Sequence, residues 1–514
     1  MRIFVVLIGF LIGAPAWAQS TDVRLQSRDG NIVIDGSLLG YDGEFYRVDT
    51  EYGPLTIDGQ GVTCDGPGCP KLDSFVAEVN LSGTRLMADV LIPALIQAFS
   101  DRNGYSLLRE VEDDTHSTFV ISNEDRVIGR FGLRASTSAE GFADLIAEEA
   151  DIALVLREPR PQEIGLAYSA GFENLFEDRR TRVIAIDGLV AIKATAQPVR
   201  SLSLEQLAGV FSGGIESWSA LGGEDTPIRI HTPKPDNGLY QAFEDEILSQ
   251  FGVLISPDAK VQESMEALSD AVSEDLFSVG LTTLSQVGNA EPVPITGSCG
   301  SEQRPSLVAL RNEDYPLTVP LMMLTPPRRL PLLAREFFGF VSSPAADTVI
   351  RRAGFVDQSV VATSFKDQGN RLALAIAQAG GDVTLGDLQR LVDTLRTRQR
   401  LSATFRFQGG SVDLDPKSRE AVLRLSRALE LGNFDERDLL FVGFSDGAGP
   451  GGANLDLSRR RAEAVLNLVR AAAPSADLDR VTLGTDAFGE ALPIACDDTG
   501  WGRAINRRVE VWVK

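Results

Sequence analysis

The apolar positions change their period several times along the chain, and those changes divide it. Residues 4–12 are a short, unbroken apolar run behind Arg2, followed by Ala16, Trp17 and Ala18. A positive start, a short apolar stretch and a small-x-small site predict an export signal over residues 1–18, with a mature chain beginning at Gln19. From there to residue 72, apolar and polar residues alternate in short runs at 23–25, 32–34, 45–48 and 55–57. The runs are separated by Asp29-Gly30, Asp42-Gly43 and Tyr52-Gly53. Period two broken by turn dipeptides predicts a small β-rich module, an SH3-like barrel or meander. It reads as a packing or spacer unit.

Over 73–355 strand-like runs (75–79, 152–156, 183–186) alternate with helical spacing, as at 88–99. That pattern predicts an α/β domain with a largely parallel sheet. It is too long for one small lobe, so two lobes are expected. Residues 356–399 read as a helical connector, with apolar runs at 372–377 and 388–392 around Gly380-Gly381. From 400 to 514 a compact β/α pattern follows, with strands at 404–407, 439–444, 480–483 and 507–513 and helices near 417–431 and 455–473. The fold class is multidomain α/β. No stretch after the signal reaches the roughly 18–20 apolar residues that span a bilayer, so no transmembrane segment is expected.

Composition narrows the partners. The net charge of −23 argues against nucleic acid and anionic membrane surfaces. Only two histidines, His116 and His231, are present, so no His-based metal site is expected, and no cofactor is implied. The four cysteines suit an oxidising compartment. Cys64 and Cys69 flank a Gly/Pro turn and are expected to form a local disulfide. Cys299 and Cys496 could pair across domains or remain buried thiols.

The densest chemistry lies near the C-terminus. Asn454 reads as the N-cap of a helix. Leu457, Ala464, Val465, Leu468 and Ala472 fall on one stripe of that helix, and Arg461 falls on the same stripe. An inward guanidinium is costly without a carboxylate or a ligand. The preceding strand ends at Ser445-Asp446 before a glycine-rich turn, so Asp446 is expected near Arg461. One negative and one positive group would suit a zwitterion. Two other motifs overlap this segment. The G-x-S-x-G match at 443–447 lacks the later His that a nucleophile elbow requires, and the G-x-G-x-x-G match at 447–452 has Asp446 beside it, which would repel a pyrophosphate. No enzyme is expected.

Gly443-Phe444-Ser445-Asp446, Asn454-Leu455-Asp456-Leu457-Ser458-Arg459-Arg460-Arg461-Ala462 and Asn506-Arg507-Arg508-Val509-Glu510 together resemble the OmpA-like C-terminal domain over about 400–514. The resemblance implies peptidoglycan as partner. Asp446 and Arg461 would hold the diaminopimelate end of the stem peptide, with Asn454 and Ser445 lining the turn. Ser445 stands where Thr is usual and keeps the hydroxyl. Asn506 and Arg507 read as structural.

Segments of 73–355 resemble phosphate-type periplasmic substrate-binding proteins. They are Gly83-Thr84, Asp151-Ile152-Ala153 leading to Arg157, 187–192, 204–213 and 217–223. The resemblance implies two lobes, a hinge and a small anionic solute in the cleft. Thr84 and Arg157 would be its hydroxyl and counter-charge, with Asn237 and Gly238 beside it. The family's S-G-T reads Asn237-Gly238-Leu239 here, and Pro233 replaces an Arg, so phosphate itself is expected to bind weakly. The expected protein is a periplasmic, wall-attached solute-binding-like protein, associated with the cell wall and the outer membrane. The alternative is a wall-tethered scaffold or interaction module with no small-molecule ligand.

Overall fold

The computed structural model describes residues 22–71, 75–172, 180–407 and 414–514. The export signal expected at 1–18, and the boundary expected between 72 and 73, lie outside the described residues. The described residues form two compact units, those up to 78 with 329–336, and those of 79–328 with 337–514.

In the first unit, strands Asp22–Ser27, Val33–Tyr41, Phe45–Thr50 and Gly53–Asp58 form an antiparallel meander. A fifth strand, Val62–Asp65, returns to pair with the first. Period-two alternation turns Val23, Leu25, Tyr46 and Val48 to one buried face, as the sequence pattern requires. Cys64 and Cys69 are disulfide-bonded. Arg329 and Arg335 both bind Glu44, and Arg329 also reaches Asp42 at 2.9 Å.

The second unit contains an eleven-stranded sheet. It is mixed, which corrects the expectation of a largely parallel one. Ile152–Val155 runs parallel to Ala77–Thr84, but Thr181–Lys193 lies antiparallel to both Thr318–Leu324 and Ser278–Thr283. Ser106–Val111, His116–Asn123 and Arg126–Ser136 add antiparallel hairpins. Strands covered on both faces are apolar throughout in either orientation, so periodicity carries no direction. The expected two lobes are present and share the long strand Thr181–Lys193. Its residues through Gly188 pair with Thr318–Leu324, and from Leu189 onward they pair with Ser278–Thr283. Asp187 sits at that change of partner. It accepts from Gly188 N at 2.8 Å and Ser285 N at 3.2 Å, and burial pushes its carboxyl up to about 6.

The C-terminal sheet has the order Ala362–Ser364, Gln399–Arg406, Arg508–Val513, Asp438–Phe444, Thr482–Ala487. Helices Pro416–Glu430 and Gly451–Ala472 cover one face through Leu425, Leu429, Val465 and Val469. Residues 356–399 do more than connect. Helices Gly369–Gln378 and Leu385–Leu395 cover the other face, with Leu391 and Leu395 against Val442, Phe444 and Trp512. The buried carboxylate Glu510 is ringed by Arg371, Arg400 and Arg508. Burial alone would raise its pKa, but the three guanidinium groups outweigh burial and hold it far below the usual range. Arg400 extends to Asp314 at 2.6 Å, Arg406 to Glu313 and Arg424 to Asp347 at 3.2 Å, tying this sheet to the two-lobed part. Cys299 and Cys496 form a second disulfide, 197 residues apart in sequence, against five for Cys64–Cys69. Loop-closure entropy gives the long link roughly 5 kcal/mol of stabilisation and the short one roughly 2 kcal/mol.

Candidate functional site

The C-terminal constellation is built from a strand end and a helix. Strand Asp438–Phe444 stops at Ser445, whose amide bonds Gly489 O at 2.8 Å. A Cβ on Gly443 would meet Ser458 O at 1.9 Å. Only glycine lets the strand end lie directly on the helix there, one turn before Arg461. Arg461 is buried, as its stripe predicts, with 3 % exposure. The stripe itself is rotated from the expected one. Asn454, Ser458, Arg461, Val465 and Val469 form it, and Leu468 is exposed. Asn454 is not the N-cap, because the helix begins earlier, at Gly451 after Pro450. The glycine-rich turn, read as loop, supplies the helix's first residues.

The guanidinium of Arg461 lies 5.1 Å from the Phe407 ring centroid, and its Nε and Nη1 have no hydrogen-bond partner. Burial, with Arg507 nearby, pulls its pKa down, while Asp446 pulls it up. Asp446 is near but is not its ion-pair partner. That place is taken by Arg507, whose Nη1 donates to Asp446 Oδ2 at 2.7 Å. The expected proximity of Asp446 to Arg461 is present, without a direct ion pair between them. Asp446 Oδ1 accepts only a long 3.3 Å bond from Ala448 N among the bonds described. Ser445 Oγ is also buried without a partner, and Asn454 Nδ2 has only the nearby Glu490 carboxyl, beyond ordinary hydrogen-bond distance. Two of the four residues singled out from sequence thus carry unsatisfied polar atoms, and a third is weakly satisfied. Native proteins pair such atoms with few exceptions, and a bound water, ion or ligand is one explanation of an exception.

The cleft between the two lobes is different. It has a volume of about 470 Å³. Asp89, Asp114, Asp236, Glu263 and Glu266 line it, against two cations, Arg85 and Lys234. Both cations already face carboxylates, Lys234 with Glu263 at 2.6 Å and Arg85 with Asp114 at 3.7 Å. Arg157 does not reach out as a counter-charge. It is buried and bound by Glu163 at 2.7 Å and Asp245 at 3.2 Å. Asn237 caps the helix Gly238–Phe243, accepting from Leu239 N at 2.9 Å. Thr84 ends a strand, with its hydroxyl buried and unpartnered. A Cβ on Gly238 would come within 2.5 Å of Thr84 Cγ2, so these two residues from opposite lobes are in contact.

The PBP superfamily domain model matches residues 74–345, more than half of the chain. The chain belongs to the PBP superfamily. The OmpA family model matches residues 406–507. Both are families of binding proteins. The PBP superfamily chain is 25 % identical over 199 residues to Protein SphX of Synechococcus elongatus, covering 37 % of this chain and 57 % of SphX. It is 36 % identical over 107 residues to the outer-membrane lipoprotein YfiB of Pseudomonas aeruginosa, covering 20 % of this chain and 60 % of YfiB. The chain thus spans under two thirds of each of these relatives. A crystal structure of an ABC-type phosphate transport receptor from Vibrio cholerae superposes with a TM-score of 0.43 and 21 % identity, covering 54 % of this chain and 99 % of that one.

In the OmpA-family part, sequence reasoning missed Phe407 and Glu490. Burial first, then Asp382 and Asp497, raise the Glu490 carboxyl. A Cβ on Gly447 would lie 3.0 Å from Glu490 Oε2, so this acid abuts the glycine turn. No motif marks it. Asn506 behaves as read, bonding Ile494 N at 2.8 Å and Ala495 N at 3.1 Å. Among the described residues no helix is long and apolar enough to cross a membrane.

Proposed function

We propose that this cell-envelope protein binds peptidoglycan non-covalently through its OmpA-family domain, at Asp446, Arg461, Asn454 and Ser445. The observation that carries this reading is the buried guanidinium of Arg461, whose Nε and Nη1 have no hydrogen-bond partner. A desolvated cation with free N–H groups is costly by several kcal/mol, and a ligand carboxylate relieves that cost with charge-assisted bonds. Asp446 Oδ1, engaged only by the long bond from Ala448 N, has acceptor capacity left for an adjacent ammonium. A carboxylate and an ammonium on one carbon are what the free end of diaminopimelate presents. The test is co-sedimentation of the full chain with purified diaminopimelate-type wall. Arg461→Met keeps the volume and removes the charge. It is expected to lower affinity at least about 100-fold, or about 2.7 kcal/mol, without lowering the melting temperature. Wild-type pelleting by this variant overturns the reading.

The location that follows is the periplasm, against the cell wall. For the PBP domain, a matched relative named a phosphate-binding protein, PstS of Borreliella burgdorferi, suggests a small anionic solute. The acidic cleft and the engaged Arg157 favour a second reading, in which this domain docks a partner without holding phosphate.

A further inference from the structure

We propose that residues 297–303 of the PBP domain position the wall-binding turn, acting through Cys299, Gln303 and the disulfide to Cys496. This rests on the peptidoglycan reading above. Cys496 lies one residue before Asp497, and Asp497 is the underside of the turn. Its Oδ2 accepts from Gly447 N at 2.7 Å, next to Asp446. Its Oδ1 accepts from Asn506 Nδ2 at 2.9 Å, and its carbonyl accepts from Arg503 Nη1 at 2.6 Å. Asn506 precedes Arg507, which holds Asp446 Oδ2. Both routes to Asp446 therefore pass through residues 494–507.

That segment is held from the other side by the PBP domain. Beyond the disulfide, Gln303 Nε2 donates to Ile494 O at 2.7 Å, and Ser298 Oγ donates to Asp498. A Cβ on Gly297 would meet Cys496 Sγ at 2.3 Å, so the two backbones are in close approach. Trp501 packs against the apolar core of the two-lobed domain as well as against Ile494 and Ile505. The OmpA-family fold alone would leave this segment anchored on one side only. A covalent link and two hydrogen bonds from the PBP domain fix where Asp497, and hence Gly447 and Asp446, sit relative to Arg461. A binding constellation of two opposite charges loses affinity when its geometry loosens by a fraction of an ångström.

The experiment compares wild type, Cys299→Ser/Cys496→Ser, Cys64→Ser/Cys69→Ser and Gln303→Ala in the full chain, each checked for native circular dichroism. Affinity for diaminopimelate-type and lysine-type wall is measured by co-sedimentation. Removing the long link is expected to weaken diaminopimelate-type binding at least tenfold and to narrow the preference between the two walls. Gln303→Ala is expected to lose about threefold, and the Cys64/Cys69 variant none. A loss of stability alone would not narrow the preference among folded molecules. Wild-type affinity and preference in Cys299→Ser/Cys496→Ser overturn the proposal while Arg461→Met still fails to bind. If that double variant does not fold, unchanged binding by Gln303→Ala overturns it. If Arg461→Met binds normally, the peptidoglycan reading and this inference both fall.

Discussion

Arg157 and Arg461 are alike in most local respects. Both are nearly inaccessible, and both lie over a phenylalanine ring, at 5.4 Å from Phe142 and 5.1 Å from Phe407. They differ in what surrounds the guanidinium. Arg157 lies between the carboxylates of Glu163 and Asp245, although its Nε makes no hydrogen bond, whereas Arg461 has no carboxylate in ion-pair contact and leaves both Nε and Nη1 without hydrogen bonds. The same residue type at the same depth is therefore held between two carboxylates in one domain and left partly unpaired in the other, where we propose it binds a ligand. Burial of a charge marks a site only when its partners are missing. The surrounding charges follow the same division. The cleft is lined by five carboxylates and two engaged cations, so its charge disfavours anions.

That contrast can be broken most strongly at Arg157. Arg157→Ala strands the carboxylate of Glu163 and half-frees Asp245, so denaturant unfolding is expected to show a loss of about 3–5 kcal/mol with wall binding unchanged. A weaker wall interaction in this variant would mean that the two arginines are not functionally separate.

A somewhat smaller effect is expected at the strand shared by the lobes. Burial raises the Asp187 carboxyl to about 6 in the folded protein. The native state therefore holds this proton more tightly than the unfolded chain. The stability it contributes is present below the unfolded value near pH 4 and is lost as pH rises through about 6. Asp187→Asn stays neutral and should be more stable than wild type at pH 8, by at most about 3 kcal/mol. Parallel stability–pH curves for the two proteins between pH 4 and 8 would refute this assignment.

Smaller again is the discrimination expected at the wall site. Lysine-type stem peptides end in an ammonium alone and leave Arg461 unpaired. Diaminopimelate-type fragments should bind at least tenfold more tightly, about 1.4 kcal/mol, and equal affinities by calorimetry would remove the zwitterion mechanism. The smallest effect is expected in the cleft, where inorganic phosphate should bind no more tightly than about 1 mM, roughly 4 kcal/mol. A micromolar isotherm there would show that the cleft supplies anion donors in spite of its acidic lining.

The β-rich module and the C-terminal β/α fold were legible in the order of periods. Arg461 was legible as an inward charge because helical spacing reports the direction of a side chain from a few neighbours. The local Cys64–Cys69 bond followed from a short turn in the same way. Strand direction in the large sheet was not legible, since apolar runs look alike in both orientations. Nor was the N-cap, because the glycine-rich turn starts the helix instead of preceding it. The partners of the charges were decided only in three dimensions. Arg507 takes Asp446 from 61 residues away, Asp245 reaches Arg157 across the fold, and Cys299 finds Cys496 across 197 residues. Sequence spacing determines which way a side chain points. Packing between distant segments determines whether it meets a counter-charge there, and that decides between an ion pair and a binding site.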